Sequence, residues 1–155
     1  EPVHIAGVIK DTLTLLSNQC LAQNIKVTTR FHENGFRLNA DPQQLKQVFL
    51  NLFLNSLDAM PSGGRLKVTS ELNHDALVIR IEDTGSGILP EHRDKLFNPF
   101  FTTKERGMGL GLAIIKGIIE RHGGQIDLRS QPGRGTMVEV CLPVRSPDHI
   151  CQIPN

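Results

Sequence analysis

Apolar residues recur every three or four positions in three segments of the chain, which predicts three helices that each bury one face. The first segment covers residues 5–24, the second runs from Asp41 to about Met60, and the third covers residues 110–122. An Asp at a helix start accepts hydrogen bonds from the first amides, and Pro fits the first turn, so Asp41 and Pro42 mark the start of the second helix.

Between these segments the apolar residues alternate with polar ones, which predicts strands with one buried face. Turn residues separate most of these strands, at residues 73–75 and 132–135 for example. The predicted strands cover residues 25–31, 36–39, 66–72, 77–82, 125–130 and 136–142. Paired strands interleaved with three helices indicate an α+β two-layer sandwich, in which a mixed, mostly antiparallel sheet is covered on one face by the three helices.

Composition and charge exclude several classes of partner. A chain of 155 residues fits one domain, and its formal net charge of +1, with no Trp and no Tyr, does not suit nucleic-acid binding. No apolar run is long enough to span a membrane, so we expect no direct membrane contact. Three cysteines without CxxC spacing predict buried thiols in a reducing compartment.

The segment from Asp83 to Gly111 has no regular pattern, and a loop of that length in a compact domain is usually functional. It opens with Asp83, Thr84, Gly85, Ser86 and Gly87, directly after a predicted strand. An acidic residue followed by glycines suits hydrogen bonding to a base or a ribose, although a capped turn has the same pattern. The Asp-Thr-Gly triplet also occurs in aspartic proteases, but these need two such carboxylates and this chain has one such triplet.

Two further motifs have both a functional and an ordinary interpretation. Asn51 and Asn55 lie one helical turn apart, where their amide oxygens suit Mg²⁺ or simply form a solvated helix edge. The segment 107–112, GMGLGL, opens the third helix, and free amides at a helix start favour a phosphate. It matches neither the dinucleotide-binding fingerprint nor a P-loop, so an ordinary glycine turn stays an alternative.

Taken in order, these motifs resemble those of the ATP-binding catalytic domain of bacterial sensor histidine kinases, within the GHKL superfamily. Residues 51–60 are similar to the N box, 83–88 and 107–114 to the two glycine boxes, 96–104 to the F box and 133–136 to a terminal GxGT. The resemblance implies the Bergerat fold over residues 1–144, with an ATP lid at about 89–106. We expect residues 145–155 to form a flexible C-terminal tail.

The resemblance implies ATP and Mg²⁺ as cofactors and a role for each motif residue. Asp83 is expected to accept the adenine amino group, Thr136 to support it through a water, and Asn55 to bind Mg²⁺ as the metal ligand. The expected catalytic residues are Asn51, Asn55 and Lys104. The expected nucleotide-binding residues are Asn55, Asp58, Asp83, Gly85, Gly87, Ile88, Phe97, Thr102, Thr103, Lys104, Arg106, Gly107, Gly109, Leu110, Gly111, Leu112 and Thr136.

The resemblance also implies a protein-histidine kinase domain that transfers the γ-phosphate of ATP to a histidine. None of the six histidines has the context of the family's phosphoacceptor, so the domain is expected to be inactive without a separate dimerisation hairpin that carries it. We expect a monomeric cytoplasmic domain, a homodimeric parent of the kind that membranes can anchor, and an indirect link to a response regulator. The alternatives are a nucleotide-binding module and a self-sufficient GHKL ATPase, but the latter carries a Glu general base where this chain has Asn51.

Overall fold

The computed structural model of the chain describes residues 2–32, 37–87 and 111–144. The helices in these ranges are α1 (Ile5–Leu15), α2 (Ser17–Ala22), α3 (Pro42–Asp58) and α4 (Gly111–Arg121). The strands are β1 (Pro2–His4), β2 (Ile25–Arg30), β3 (Arg37–Asn39), β4 (Gly64–Asn73), β5 (Ala76–Asp83), β6 (Gln125–Gln131) and β7 (Gly135–Pro143).

Five of the strands form one sheet in the order β2-β4-β5-β7-β6. Only the β2–β4 pair is parallel, and the other three pairs are antiparallel. Alternate strand residues and the inner faces of the helices bury one core against one face of this sheet, centred on side chains such as Phe49, Phe53 and Ile79. The predicted mixed, mostly antiparallel sheet with helices on one face is therefore confirmed.

The predicted first helix is in fact two helices, α1 and α2, separated at Leu16. Near this break the Ser17 hydroxyl donates to the carbonyl of Thr14 (2.9 Å), and hydroxyl side chains of this kind compete with the regular helical pattern. Leu16 and Cys20 are still buried on the core side. The apolar spacing therefore continues across the break, which is why periodicity alone did not reveal it.

Helix α3 begins as predicted. The Asp41 carboxylate accepts hydrogen bonds from the amides of Gln43 (2.9 Å) and Gln44 (3.3 Å), and Pro42 lies in the first turn. The Asp41 amide in turn donates to Nε2 of His122, just after α4, at 3.1 Å. This contact ties the start of α3 to the end of α4, and the two helices pack side by side.

Two features were not expected from the sequence. Strands β1 and β3 pair with each other, outside the main sheet. On the sheet face opposite the helices, Cys141 is buried beside Val78 and is disulfide-bonded, which corrects the expectation that the cysteines are thiols. Cys20 is a free, buried thiol as expected.

Ionic contacts connect three strands on that same face. Arg80 of β5 forms ion pairs with Glu71 of β4 and, through Nε at 3.1 Å, with Glu139 of β7.

In the part of the chain that the structure describes, no helix has both the length and the apolar character needed to cross a membrane.

Candidate functional site

The motif residues that the structure describes meet where β5 ends, β7 begins and α3 ends. Asp83 is the last residue of β5 and pairs in register with Thr136 near the start of β7. The end of α3 lies against the same end of the sheet, because the Ser56 side chain hydrogen-bonds Asp83 and the Ala59 carbonyl accepts from the Ser86 amide. Residues that are more than 80 positions apart in the chain, such as Asn55 and Thr136, therefore belong to one end of the sandwich.

Asp83 is a buried carboxylate held by three hydrogen bonds. Its Oδ1 accepts from the amide of Gly85 at 2.9 Å, and the carboxylate also accepts from the Ser56 side chain and the Thr136 backbone. Burial raises the pKa of Asp83 above its ordinary value of 3.8, and the three hydrogen bonds oppose that rise. The site therefore holds a hydrogen-bond acceptor of fixed orientation, because a buried carboxylate with three donors cannot rotate freely.

The loop after Asp83 is packed so closely that its glycines leave no room for side chains. A Cβ on Gly85 would lie 2.6 Å from the carbonyl oxygen of Ala59, and one on Gly87 would clash with the carbonyl of Gln131. Gly87 also has a positive φ of 75°, which strains other residues. The amide of Ser86 donates to Ala59 O at 3.1 Å, so the loop is attached to the end of α3.

The turn between β6 and β7 closes the other side of this loop. The Gly133 amide donates to the Ser86 carbonyl at 2.7 Å. The Ser130 hydroxyl lies 3.1 Å from both the carbonyl oxygen of Gly135 and the hydroxyl of Thr136. The loop 83–87 is thus bounded by α3 on one side and by the β6–β7 turn on the other, and the Thr136 hydroxyl of β7 is hydrogen-bonded to Ser130 of β6.

Helix α3 brings the predicted polar residues to this end of the molecule. Asn51 and Asn55 are half-buried and lie one turn apart, and Asp58 is exposed in the last turn. Val48, Leu52 and Met60 are buried in the core, as the apolar spacing predicted.

Ser56 is a site residue that the sequence analysis missed. It is a buried polar residue that follows Asn55 directly and hydrogen-bonds Asp83. A small hydroxyl residue among apolar neighbours on a helix was the available signal, because a buried polar group needs a partner.

Helix α4 carries two of the predicted nucleotide-binding residues of the second glycine box, Gly111 and Leu112, and Leu112 packs against the core. The remaining predicted residues lie outside the described ranges. They are Ile88, Phe97, Thr102, Thr103, Lys104, Arg106, Gly107, Gly109 and Leu110. Their roles stay predictions from the sequence.

Comparison with known proteins gives a consistent result. Residues 40–146 match the model of the histidine kinase-, DNA gyrase B- and HSP90-like ATPase family. The chain is 38% identical to sporulation kinase E of Bacillus subtilis over 94% of its own length and 20% of that protein. It is also 38% identical to the sensor histidine kinase ZraS of Salmonella typhimurium, over 93% of this chain and 31% of that protein.

A solved catalytic domain has the same fold. The catalytic domain of histidine kinase ThkA is 31% identical to this chain and superimposes with a TM-score of 0.85 over 93% of this chain and 95% of that one. ThkA has also been solved in complex with a response regulator protein. The likeness confirms the predicted sandwich as that of a histidine kinase catalytic domain.

The chain spans about a fifth to a third of the curated relatives that it matches. The family model covers more than half of this chain, including α3, the loop 83–87, α4 and the β6–β7 turn. The sequence motifs, the sheet order and all three comparisons therefore agree, and the chain belongs to the histidine kinase-, DNA gyrase B- and HSP90-like ATPase family, with sensor histidine kinases as its relatives.

Proposed function

We propose that this chain binds Mg²⁺-ATP and presents the γ-phosphate to a histidine on a helical hairpin that is not part of this chain. The observation that carries the proposal is the buried Asp83 carboxylate, held by the Gly85 amide, the Ser56 side chain and the Thr136 backbone. A fixed acceptor of this kind selects a ligand that offers a donor, and the amino group of adenine is such a donor. Guanine has a carbonyl oxygen at the corresponding position and should be rejected.

The shape of the site supports a flat ligand next to Asp83. The loop 83–87 lies against Ala59 and Gln131 without side chains of its own at Gly85 and Gly87, so a ring can approach the backbone closely. The phosphates would then extend toward the start of α4, where helix amides favour anions. Lys104 and Arg106 are proposed to complete the phosphate contacts, with residues 89–106 as a lid over them.

The described part of the chain offers few ligands for Mg²⁺, and that fits this ion. The described residues contain no cluster of three or more His, Cys, Asp or Glu that could hold a metal. Mg²⁺ usually takes one or two protein oxygens and completes its shell with phosphate oxygens and water. We propose the amide oxygen of Asn55 as that protein ligand. When bound, the ion would neutralise charge on the phosphates, and the chain's own contribution is to orient them.

Asn51 favours histidine phosphorylation over autonomous hydrolysis. It lies one turn before Asn55 on α3, where the self-sufficient ATPases carry a glutamate that activates water. An amide side chain cannot accept that proton, and general-base help is worth about 10²- to 10⁴-fold in rate. The proposal therefore needs a nucleophile from outside, an imidazole in line with the γ-phosphate.

The partners and setting of the parent protein are also proposals. We infer a homodimeric parent kinase in which this domain serves the phosphoacceptor hairpin of the dimer, and a response regulator that receives the phosphate afterwards. The domain would act in the cytoplasm as residues 1–144, with residues 145–155 as a tail. The complex of ThkA with a response regulator supports this arrangement, since ThkA is a relative.

Two measurements test the proposal. Calorimetric titration with a non-hydrolysable ATP analogue, with and without Mg²⁺, should show binding that the metal strengthens, and GTP should bind more weakly than ATP. With γ-labelled ATP, phosphate release by the chain alone should be very slow, and added hairpin should become labelled with acid-labile, base-stable phosphate. No binding at millimolar analogue would refute nucleotide binding, and rapid release that Asn51→Ala does not slow would favour an unconventional ATPase.

A further inference from the structure

Gln23 makes a contact that lies outside every motif considered so far. It follows α2 directly and is upstream of residues 40–146, the part of the chain that the family model matches. Its side-chain amide nitrogen donates to two carbonyl oxygens at the end of α3, those of Leu57 at 3.0 Å and Met60 at 3.2 Å. Each carbonyl also accepts from a backbone amide, Leu57 O from Met60 and Met60 O from Gly63, so Gln23 adds a second donor to both sides of the turn that ends α3.

The orientation of this amide is set by a neighbour. Nε2 of Gln19, one turn earlier on α2, donates to Oε1 of Gln23 at 2.9 Å. The carbonyl end of Gln23 is therefore occupied as an acceptor, and the amino end points at α3. The two side chains therefore connect α2 to backbone carbonyls at the end of α3.

The turn that Gln23 holds is the turn that carries the glycine loop of the site. Ala59 lies between Leu57 and Met60, its carbonyl accepts from the Ser86 amide at 3.1 Å, and Gly85 packs directly against it. A movement of this turn therefore moves Gly85, which donates to the Asp83 carboxylate at 2.9 Å. The Asn55 backbone is bonded to this turn, since its carbonyl accepts from the Ala59 amide at 3.2 Å, but its side chain leaves α3 one turn before Ala59.

We propose that Gln23 is a positioning residue for the nucleobase side of the site. It acts through the end of α3 and the loop 83–87 and touches neither the nucleobase nor the phosphates. The proposal rests on the function proposed above, because it assigns the loop beside Asp83 to the base and Asn55 to the metal. It predicts that loss of the Gln23 donor weakens recognition of adenine while leaving the binding of phosphate and Mg²⁺ nearly unchanged.

Three substitutions of Gln23 separate the loss of its hydrogen-bond donor from the effect of a changed charge. Gln23→Glu keeps the shape, removes the donors and puts a negative charge at the negative end of α3. Gln23→Ala removes the donors without adding charge. Gln23→Lys keeps a donor and puts a positive charge there, which a helix end favours. Asn18→Glu and Asn18→Lys, at an exposed position on α2, make the same charge changes away from the contact.

The assay measures the affinity of the 155-residue chain for a non-hydrolysable ATP analogue and for inorganic tripolyphosphate, each with and without Mg²⁺. Gln23→Glu should lower the affinity for the analogue by about 10-fold. Gln23→Ala should lower it by about 3-fold to 10-fold, the range expected for one or two neutral hydrogen bonds. Gln23→Lys should bind like the wild type. Tripolyphosphate affinity and the strengthening by Mg²⁺ should stay within about 2-fold in all variants.

The outcomes distinguish the two proposals. A wild-type chain that does not bind the analogue refutes the proposed function and this inference with it. A wild-type chain that binds, with Gln23→Glu equal to Asn18→Glu, refutes the role of Gln23 alone. An equal loss for the analogue and for tripolyphosphate also refutes it, because that result indicates a general structural role. If circular dichroism shows Gln23→Glu to be unfolded, equal analogue affinities of Gln23→Ala and Gln23→Lys refute it.

Discussion

Replacing Asp83 by Asn tests the central acceptor of the site with the smallest change in shape. The new amide oxygen can still accept from Gly85, as Oδ1 does now at 2.9 Å. The new NH₂ group replaces the other carboxylate oxygen, so a donor lies where the adenine amino group needs an acceptor. Glu82→Gln is the matched control, because Glu82 precedes Asp83 on β5 and lies on the opposite face of the sheet, in register with Lys67 and Met137.

The expected loss follows from the kind of hydrogen bond that is removed. A hydrogen bond to a charged group contributes about 1.5–3 kcal/mol, so Asp83→Asn should lower the affinity for ATP by about 10-fold to 100-fold. Glu82→Gln removes the same charge from the chain and should change ATP affinity by less than about 2-fold, because exposed and half-exposed charges contribute little. Discrimination against GTP should also fall in Asp83→Asn.

Acid pH gives a second, independent signature. Burial raises the pKa of Asp83 above 3.8, so falling pH protonates it earlier than an exposed carboxyl group and ATP affinity should fall with that protonation. The unfolded chain has the lower pKa, so the folded state binds the extra proton. The unfavourable contribution of Asp83 to folding stability is therefore absent at low pH and grows as pH rises through the folded-state pKa. In Asp83→Asn, neither ATP affinity nor folding stability should change with the protonation of residue 83, because the amide does not titrate.

Two sets of titrations check this reasoning. Calorimetry of ATP binding across the acidic range gives the affinities, and urea unfolding at the same pH values gives the free energies of unfolding. We expect Asp83→Asn to gain stability relative to the wild type as pH rises, while it binds ATP more weakly throughout. Unchanged ATP affinity in Asp83→Asn, or an equal loss in Glu82→Gln, would contradict the assignment of Asp83 to adenine.

Three further predictions follow from single contacts. Asn55→Ala should remove the increase in ATP affinity that Mg²⁺ causes and leave metal-free binding nearly unchanged in calorimetry, whereas a uniform loss would indicate a folding defect. Gly85→Ala places a methyl group 2.6 Å from the Ala59 carbonyl oxygen and should destabilise the fold by about 1–3 kcal/mol in urea unfolding. Gly117→Ala on α4, where the nearest atom is 3.5 Å away, should instead stabilise it by about 0.5–1 kcal/mol, and the reverse order would refute the packing argument. Asp41→Ala should cost about 0.5–2 kcal/mol through loss of the α3 cap, and an unchanged melting temperature would contradict the capping role.

Local signals predicted much of the fold. The Asp41–Pro42 pair predicted the start of α3, and the alternating segments predicted the β4–β5 and β6–β7 pairs to within two residues at either end. Each of these signals acts over a few neighbouring residues, where capping, periodicity and turn residues decide the structure. Asp83 and the glycines after it were also found this way, because they follow a strand end.

The features that were missed depend on residues far apart in the chain. The Ser56–Asp83 and Gln23–Leu57 hydrogen bonds join different elements, and nothing in their local sequence specifies the partner. The pairing of β1 with β3 and the parallel pairing of β2 with β4 likewise join segments that are far apart in the chain. Short-range patterns describe which residues are polar or buried, whereas tertiary packing decides which polar groups meet.

The parallel pair β2–β4 has a practical consequence for where this domain can be cut. Ile25 of β2 pairs with Gly64 of β4, and β2 is the outermost strand on that side of the sheet. A chain shortened to residues 40–146, the part that the family model matches, would lose β2 and leave β4 as an open edge. Leu66 and Val68, now fully buried, lie on that strand. An unprotected edge with apolar residues promotes pairing between molecules, so we expect a chain cut at residue 40 to aggregate more readily than the full chain.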